Sequence, residues 1–311
     1  MLSSCHRKSV INIAVIPRTS GTMLWEPEHA GAMSAAVAHG AKIYWNAPTR
    51  EDDIQGQIAI VESVSSGDYQ GLILAPDHAL ALITPVRRAI ARGLQTVIVG
   101  SPLAIPPGGR LHYILNDEVA GGHIAAQRLG TILHGRGTIA VLGIDPDITG
   151  IMERARSLEH YLSEHYPNIR VVANQMGSFN VPHEQQVAEE TLKAHPDLDA
   201  IVALTSTSTH GALSAIAIVA SEHPRVIAFD PDALTFDNPS MDSYIVQDTR
   251  RMGAEAVDII LAGPRNETIP ATMQFQPTLV TRENANSQAV RKMTSMDWRP
   301  APMRWKWSVG P

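Results

Sequence analysis

The sequence predicts an α/β protein built on parallel sheets, and three observations carry that reading. Short apolar runs rich in β-branched residues recur along the chain, as strands covered on both faces do. Amphipathic stretches, with apolar residues three and four apart, alternate with these runs. Segments bearing Gly and Pro punctuate the alternation. A hydrophobic content of 44% supplies apolar material for a core, which excludes disordered and low-complexity classes.

In order, the strand candidates are INIAVI (11–16), KIYW (42–45), GLILA (71–75), QTVIV (95–99) and HYIL (112–115). TIAVL (138–142), IRVVA (169–173), AIVAL (200–204), RVIAF (225–229) and SYIV (243–246) follow. Among the helix candidates, EDDIQGQIAIVESVSS carries one stripe of Ile54, Ile58 and Val61. The stretch after Asp248 repeats the pattern with Met252, Ala256 and Ile259, then stops at Gly263-Pro264, a C-terminal signal. Two sheets of about five strands fit this length better than one sheet holding every strand. A break falls near Asn116-Asp117, after the Pro- and Gly-rich loop IPPGGR (105–110).

Composition narrows the function classes. With 25 Lys+Arg against 31 Asp+Glu the net charge is −6, which argues against nucleic acid as a partner of the whole chain. A single cysteine, Cys5, excludes a disulfide framework and a multi-Cys zinc site. No apolar stretch approaches the roughly 18 residues of a membrane span. The 13 histidines are scattered without a metal-ligand pair, and no phosphate-binding loop, dinucleotide fingerprint, nucleophile elbow or metalloprotease helix is present. The expectation is a protein that is not an enzyme and holds neither cofactor nor metal.

Ligands of open parallel sheets bind outside the carboxyl ends of the strands. The segments there are RTSGTMLW (18–25), PDH (76–78), SP (101–102), DPDITG (145–150), TSTST (205–209), DPD (230–232) and QD (247–248). Trp25 and Phe179 add two flat apolar faces to this set of hydrogen-bonding groups. That combination suits a small, polar, ring-shaped ligand. The alternative is that polar loops are simply how sheets end.

Over roughly 11–282 the chain resembles a type I periplasmic sugar-binding protein of the ribose/galactose-binding kind, a fold shared with the effector domains of LacI-type repressors. VIPRTSGTMLWEPEHAGA is similar to that family's first strand, aromatic-bearing loop and first helix. LNDEVAGGHIAAQRL resembles its segment at the first domain crossover, and MERARSLEHYL the Arg-rich start of the second domain's helix. AHPDLDAIVAL, HGALSAI and VIAFD resemble the strand–helix–strand that ends in a ligand-binding Asp.

The resemblance implies two doubly wound parallel-sheet lobes joined by three crossover segments. The lobes would be 11–115 plus 248–274 and 116–247 plus 275–290, after a leader (1–10) and before a Trp-rich basic extension (291–311). It implies Trp25 and Phe179 as facing platforms, and Arg154, Asp230, Gln247, Thr205 and Ser101 as polar ligand contacts. Hinge positions are expected at Asn116, Asp117, Asp248 and around Met273–Gln276. For Arg154 the alternative is an ion pair with Glu153 or Glu159 on a solvated face. For Asp230, ahead of Pro231, it is a helix cap. For Trp25 and Phe179 it is plain core burial. Two departures stand out: Gly100-Ser101 replaces the family's Asp-Arg or Asp-Asn pair, and Thr205 replaces an Asn. A sugar acid, polyol or nucleoside-like ligand is therefore as open as a simple pyranose, and Asp77-His78 is a candidate replacement.

The function implied is capture of a small polar ligand, a sugar or related polyol, by hinge closure. The partner would be an ABC-type permease or a membrane sensor, and the protein a monomer in the periplasm or at the cell surface. The alternative is the sensing part of a LacI-type regulator, whose helix-turn-helix would have to precede Ile11. The strand over QFQPTLVTREN (274–284) resembles the end of such domains. Leu2-Ser3-Ser4-Cys5 resembles a lipobox, with Cys5 as the lipidated residue. Trp298, Trp305 and Trp307 gather in the basic tail beyond the resemblance, where aromatic anchoring on the protein's own surface is expected.

Overall fold

The computed structural model describes residues 10–219, 224–263 and 269–298. Cys5, Trp305, Trp307 and most of the leader and tail lie outside them. Strand and helix alternate as β1 (Asn12–Ile16), α1 (Glu26–His39), β2 (Lys42–Trp45), α2 (Ile54–Ser66), β3 (Gly71–Leu74), α3 (Ile83–Ala91), β4 (Gln95–Gly100) and β5 (Leu111–Asn116). There follow α4 (Glu118–Ile132), β6 (Arg136–Ile144), α5 (Thr149–His165), β7 (Asn168–Met176), α6 (Val181–Ala194), β8 (Ala200–Ala203), α7 (Ser206–Val219), β9 (Arg225–Phe229) and β10 (Met241–Val246). The chain continues through α8 (Thr249–Ala262), β11 (Thr272–Phe275), β12 (Thr278–Thr281) and α9 (Gln288–Met293).

All ten apolar runs are strands. Each of the two sheets has six strands rather than about five, in the orders β11-β5-β4-β3-β1-β2 and β12-β10-β9-β8-β6-β7. The sixth strand of each comes from the single run expected over 274–284. Gln276-Pro277 splits that run, so β11 joins β5 in parallel and β12 joins β10 antiparallel. Proline cannot donate to a ladder, which makes it the natural point of division. Helices cover both faces of each sheet, which is why the GLIL of β3 and the AIVA of β8 are buried at every residue. The two sheets with their helices form two lobes, each with an apolar core on either side of its sheet.

Local chemistry sets the helix starts. Asp53, Asp117, Asn180 and Asp248 each accept a backbone N–H of the first turn of α2, α4, α6 and α8, relieving the unpaired donors there. The chain passes between lobes three times, at Asn116-Asp117, Gln247-Asp248 and Gln276-Pro277. Asp117 and Asp248 therefore cap helices at the crossovers themselves. Gln276 Nε2 donates to Asp117 Oδ2 at 2.6 Å, and the Asp117 N–H to the Phe275 carbonyl at 2.9 Å, binding two crossovers side by side.

The C-terminal segment touches both lobes. Val290 and Met293 of α9 join the core of the second lobe. A few residues on, Arg250 of α8 in the first lobe donates to the carbonyls of Ser295 at 2.7 Å and Asp297 at 2.8 Å.

Inside the second lobe, Arg128 of α4 forms two bonds to Asp242 of β10, at 2.6 and 2.9 Å. Burial alone would raise the Asp242 carboxyl, but hydrogen bonds from Arg128 and Ser243 and the charges of Arg128 and Arg225 lower it below 3.8. The folded state thus binds fewer protons than the unfolded one as pH falls through this range. The contribution is complete above about pH 4 and lost as pH falls through the depressed pKa. Asp242→Asn is expected to destabilise the protein at pH 7, with the gap to wild type narrowing in acid. Urea titrations at both pH values check this, and a gap that widens in acid contradicts it.

Candidate functional site

The ends of β1, β4, β7, β8 and β9 converge on one cavity between the lobes. The space among its lining residues is about 600 Å³, counting the mouth open to solvent. The first lobe contributes Arg18, Trp25, Glu28 and Glu51, and the second Arg154, Phe179, Ser206 and Asp230. Asn116 of the first crossover and Thr249, just after the second, also line it.

Arg154 organises the second-lobe wall from within. Nε and Nη2 meet Glu118 Oε2 and Oε1 at 2.8 and 2.6 Å, and Nη1 meets Asp230 Oδ2 at 2.7 Å and the Leu204 carbonyl at 2.8 Å. The Phe229 ring lies 4.6 Å from its Cζ. Arg154 pairs with neither Glu153 nor Glu159; its partner is reached across the packing of α4 on α5. Gly122 permits that approach, since a Cβ there would lie 2.5 Å from the Arg154 carbonyl oxygen. Burial works against the guanidinium charge, but Asp230 and Glu118 outweigh it and drive the pKa up. Burial pushes the Glu118 carboxyl up and Arg154 opposes this. The two-pronged contact is the geometry of an ionised pair.

Asp230 does not cap a helix: no helix lies between β9 and β10, and the carboxylate faces Arg154. Asp230 and Phe179 both have φ of +48°. Left-handed backbone is uncommon outside glycine, and such conformations gather at ligand sites. Phe179 packs against the core of its lobe and lines the cavity. Trp25 caps α1, belongs to the first-lobe core and also lines the cavity. For both aromatics, core burial and cavity lining hold together. Trp25 Nε1 is buried without a hydrogen-bond partner.

Thr205 also lines this cavity, while Ser101 and Gln247 sit differently. The Thr205 hydroxyl accepts the Ser208 N–H at 3.1 Å and meets Ser208 Oγ at 2.9 Å, so it is largely used in starting α7. Ser101 stands behind the wall, receiving Arg18 Nη2 at 3.2 Å. Gln247 lines a neighbouring cavity that shares Leu24, Asp230 and Thr249 with the first. It is 4% exposed, and neither its Oε1 nor its Nε2 has a partner.

Sequence reasoning passed over four residues. Arg18 enters from the end of β1, where its Nε donates to the Pro76 carbonyl at 3.2 Å and Nη1 stands 3.6 Å from Glu51. It brings a guanidinium beside Ser101, the position where the sequence resemblance leads us to expect a more polar pair. Glu28 and Glu51 are buried acids beside it; burial pushes both carboxyls up, Glu28 to about 8, with Arg18 opposing. Glu118 is the fourth. Asp77 lies behind Arg18, also raised by burial to about 8, with both oxygens unpartnered. His78 accepts the Leu80 N–H at 3.1 Å and shapes its own loop. An acid in a helix's first turn is ordinary, which hid Glu28. Arg18 was visible only as one residue of a polar loop.

The profile described as "Periplasmic binding protein domain" matches residues 13–263. The chain belongs to this family of periplasmic binding proteins. As a member, it is 23% identical over 260 residues to the D-allose-binding periplasmic protein of Escherichia coli, covering 80% of this chain and 83% of that one. A ribose import binding protein of Bacillus subtilis is 26% identical over 233 residues, covering 73% and 74%. Among solved structures, a solute binding protein of Agrobacterium vitis bound to α-D-tagatopyranose aligns with a TM-score of 0.84 at 22% identity, covering 91% of this chain and 98% of that one. One from Agrobacterium radiobacter in complex with D-arabinose aligns with 0.81 at 21%, covering 93% and 100%. The periplasmic binding protein fold is thereby established, and the family is one of binding proteins for transport, not of enzymes. No described helix of this family member is long and apolar enough to cross a membrane.

Proposed function

We propose that the protein captures a small hydroxylated ligand, a sugar or close polyol relative, between its lobes and presents it to an ABC-type permease from the periplasmic side. The observation that carries this reading is that Trp25 of one lobe and Phe179 of the other line a single cavity with Arg154 and Asp230. Two ring faces with hydrogen-bonding groups between them suit a sugar ring, whose faces are apolar and whose rim is hydroxylated. The lobes, taken as 11–115 plus 248–274 and 116–247 plus 275–290, close about Asn116, Asp117 and Asp248. A ligand drives closure only through its greater affinity for the closed state, so contacts supplied by both lobes are what the mechanism requires.

The test is a thermal-shift screen over pentoses, hexoses, polyols, sugar acids and nucleosides. A ligand that binds only the folded state raises Tm in proportion to the logarithm of its concentration. A hit among sugars or polyols is expected, and it should disappear when Trp25 is replaced by alanine. A response confined to nucleosides overturns the reading.

A further inference from the structure

The acidic side chains of the cavity outnumber the basic ones. Its lining holds two guanidinium groups, Arg18 and Arg154, against the carboxylates of Glu28, Glu51 and Asp230, and Glu118 stands directly behind Arg154. Arg154 is spent on Glu118 and Asp230, and Arg18 stands by Glu51. Glu28 is the lining acid with no hydrogen-bonded or ion-paired base. It is 2% exposed, it lines the cavity, and its Oε1 has no hydrogen-bond partner.

Among the described residues no neighbouring element answers it. On α8, Gly253 packs against the Glu28 stem, where a Cβ would lie 3.0 Å from Glu28 Cγ and 2.3 Å from its carbonyl oxygen, and Thr249 and Met252 present no charge. The two arginines of α8 are turned elsewhere: Arg250 to the Ser295 and Asp297 carbonyls, Arg251 to Glu255 and the Phe275 ring. Arg18 is the one charge acting appreciably on Glu28, and it does not offset the burial. A buried acid without a partner is costly when ionised.

We propose that the ligand carries a positive charge, an ammonium on a hydroxylated ring or chain, and that Glu28 receives it. The inference rests on the sugar or polyol reading above and names its class more narrowly. An anionic ligand would oppose ionisation of the buried Glu28 and Glu51 carboxyls still further. A neutral one can exchange a hydroxyl hydrogen bond with the protonated carboxyl but brings no charge to let it ionise. An ammonium supplies both the missing donor and the missing charge. Burial raises the Glu28 carboxyl to about 8, so without a cation beside it the group is protonated at neutral pH. Arrival of the ammonium lets it ionise, and the carboxyl proton leaves to solvent. Affinity for the amine therefore rises as pH is raised from 6 to 8.

The experiment pairs neutral sugars and polyols with their amino counterparts: D-glucose, D-galactose, D-mannose and sorbitol against D-glucosamine, D-galactosamine, D-mannosamine and 1-amino-1-deoxysorbitol. Thermal shift ranks the pairs, and calorimetry in two buffers of different ionisation enthalpy counts protons. The expected result is at least a tenfold preference for an amino member, growing from pH 6 to 8, with close to one proton released near pH 7. Glu28→Gln should erase the preference while raising the ligand-free Tm at pH 8 and not at pH 5. Proton release by wild-type protein stands as the readout should that variant fold poorly. A neutral member that binds as well as its amine, or a preference that survives Glu28→Gln, overturns this inference and leaves the sugar reading standing. No binding by either set overturns this inference, and the wider screen then decides the sugar reading.

Discussion

Arg154→Ala is expected to lower the stability of the protein by about 3–5 kcal/mol, the usual cost of breaking a buried ion pair by removing one partner. Three acceptors lose their donor at once: the Glu118 carboxylate, the Leu204 carbonyl and Asp230. Glu118 is 3% exposed, so water cannot replace what is lost. The damage also reaches the joint of α4 with α5, because the pair bridges them. Arg154→Lys separates charge from geometry: lysine keeps the cation but lacks the planar fork that meets Glu118 twice, and an intermediate loss is expected. Urea titrations of the three proteins measure this, and an alanine variant within about 1 kcal/mol of wild type contradicts the assignment of Arg154 as the keystone of that wall.

Asp230→Ala is expected to weaken ligand binding at least tenfold, about 1.4 kcal/mol, and truncating one partner of a hydrogen-bonded charge pair often costs 2–5 kcal/mol. Two effects combine. The carboxylate that lines the cavity is lost, and Arg154 Nη1 is freed to swing. Asp230→Asn is the needed companion, because asparagine tolerates left-handed backbone while giving up the charge. If Asn retains full affinity, shape and φ at residue 230 matter and the charge does not. If both variants bind as wild type does in calorimetry with the ligand found by screening, Asp230 is not a ligand contact.

The strands were legible because they are short, apolar and buried on both faces, a pattern that tertiary packing reinforces instead of overriding. The sixth strand of each sheet was read as one run, since nothing in QFQPTLVT says that the residues on either side of Pro277 pair with different sheets; that depends on where the other lobe stands. The same limit governs the site. Trp25, Phe179, Arg154 and Asp230 follow strands or open helices, where ligand groups are looked for, and they do line one cavity. Glu118 and Arg154 are 36 residues apart, and their pairing is a property of helix packing that spacing along the chain cannot carry. Arg18 and Glu28 look like ordinary loop and first-turn residues, and only the packed structure reveals that one stands beside Ser101 and the other has no hydrogen-bonded or ion-paired base.

The C-terminal segment sets a leash length on the lobes. Met293 is fixed in the core of one lobe, and the Ser295 carbonyl, two residues on, is held by Arg250 of the other. A fully extended chain advances at most about 3.6 Å per residue, so this tether reaches roughly 7 Å. Beyond that span the lobes cannot part without pulling the Ser295 and Asp297 carbonyls off Arg250 or drawing α9 from its seat. Wide opening therefore requires the tether to let go first. The range of the hinge is written partly in a segment that lies outside both sheets.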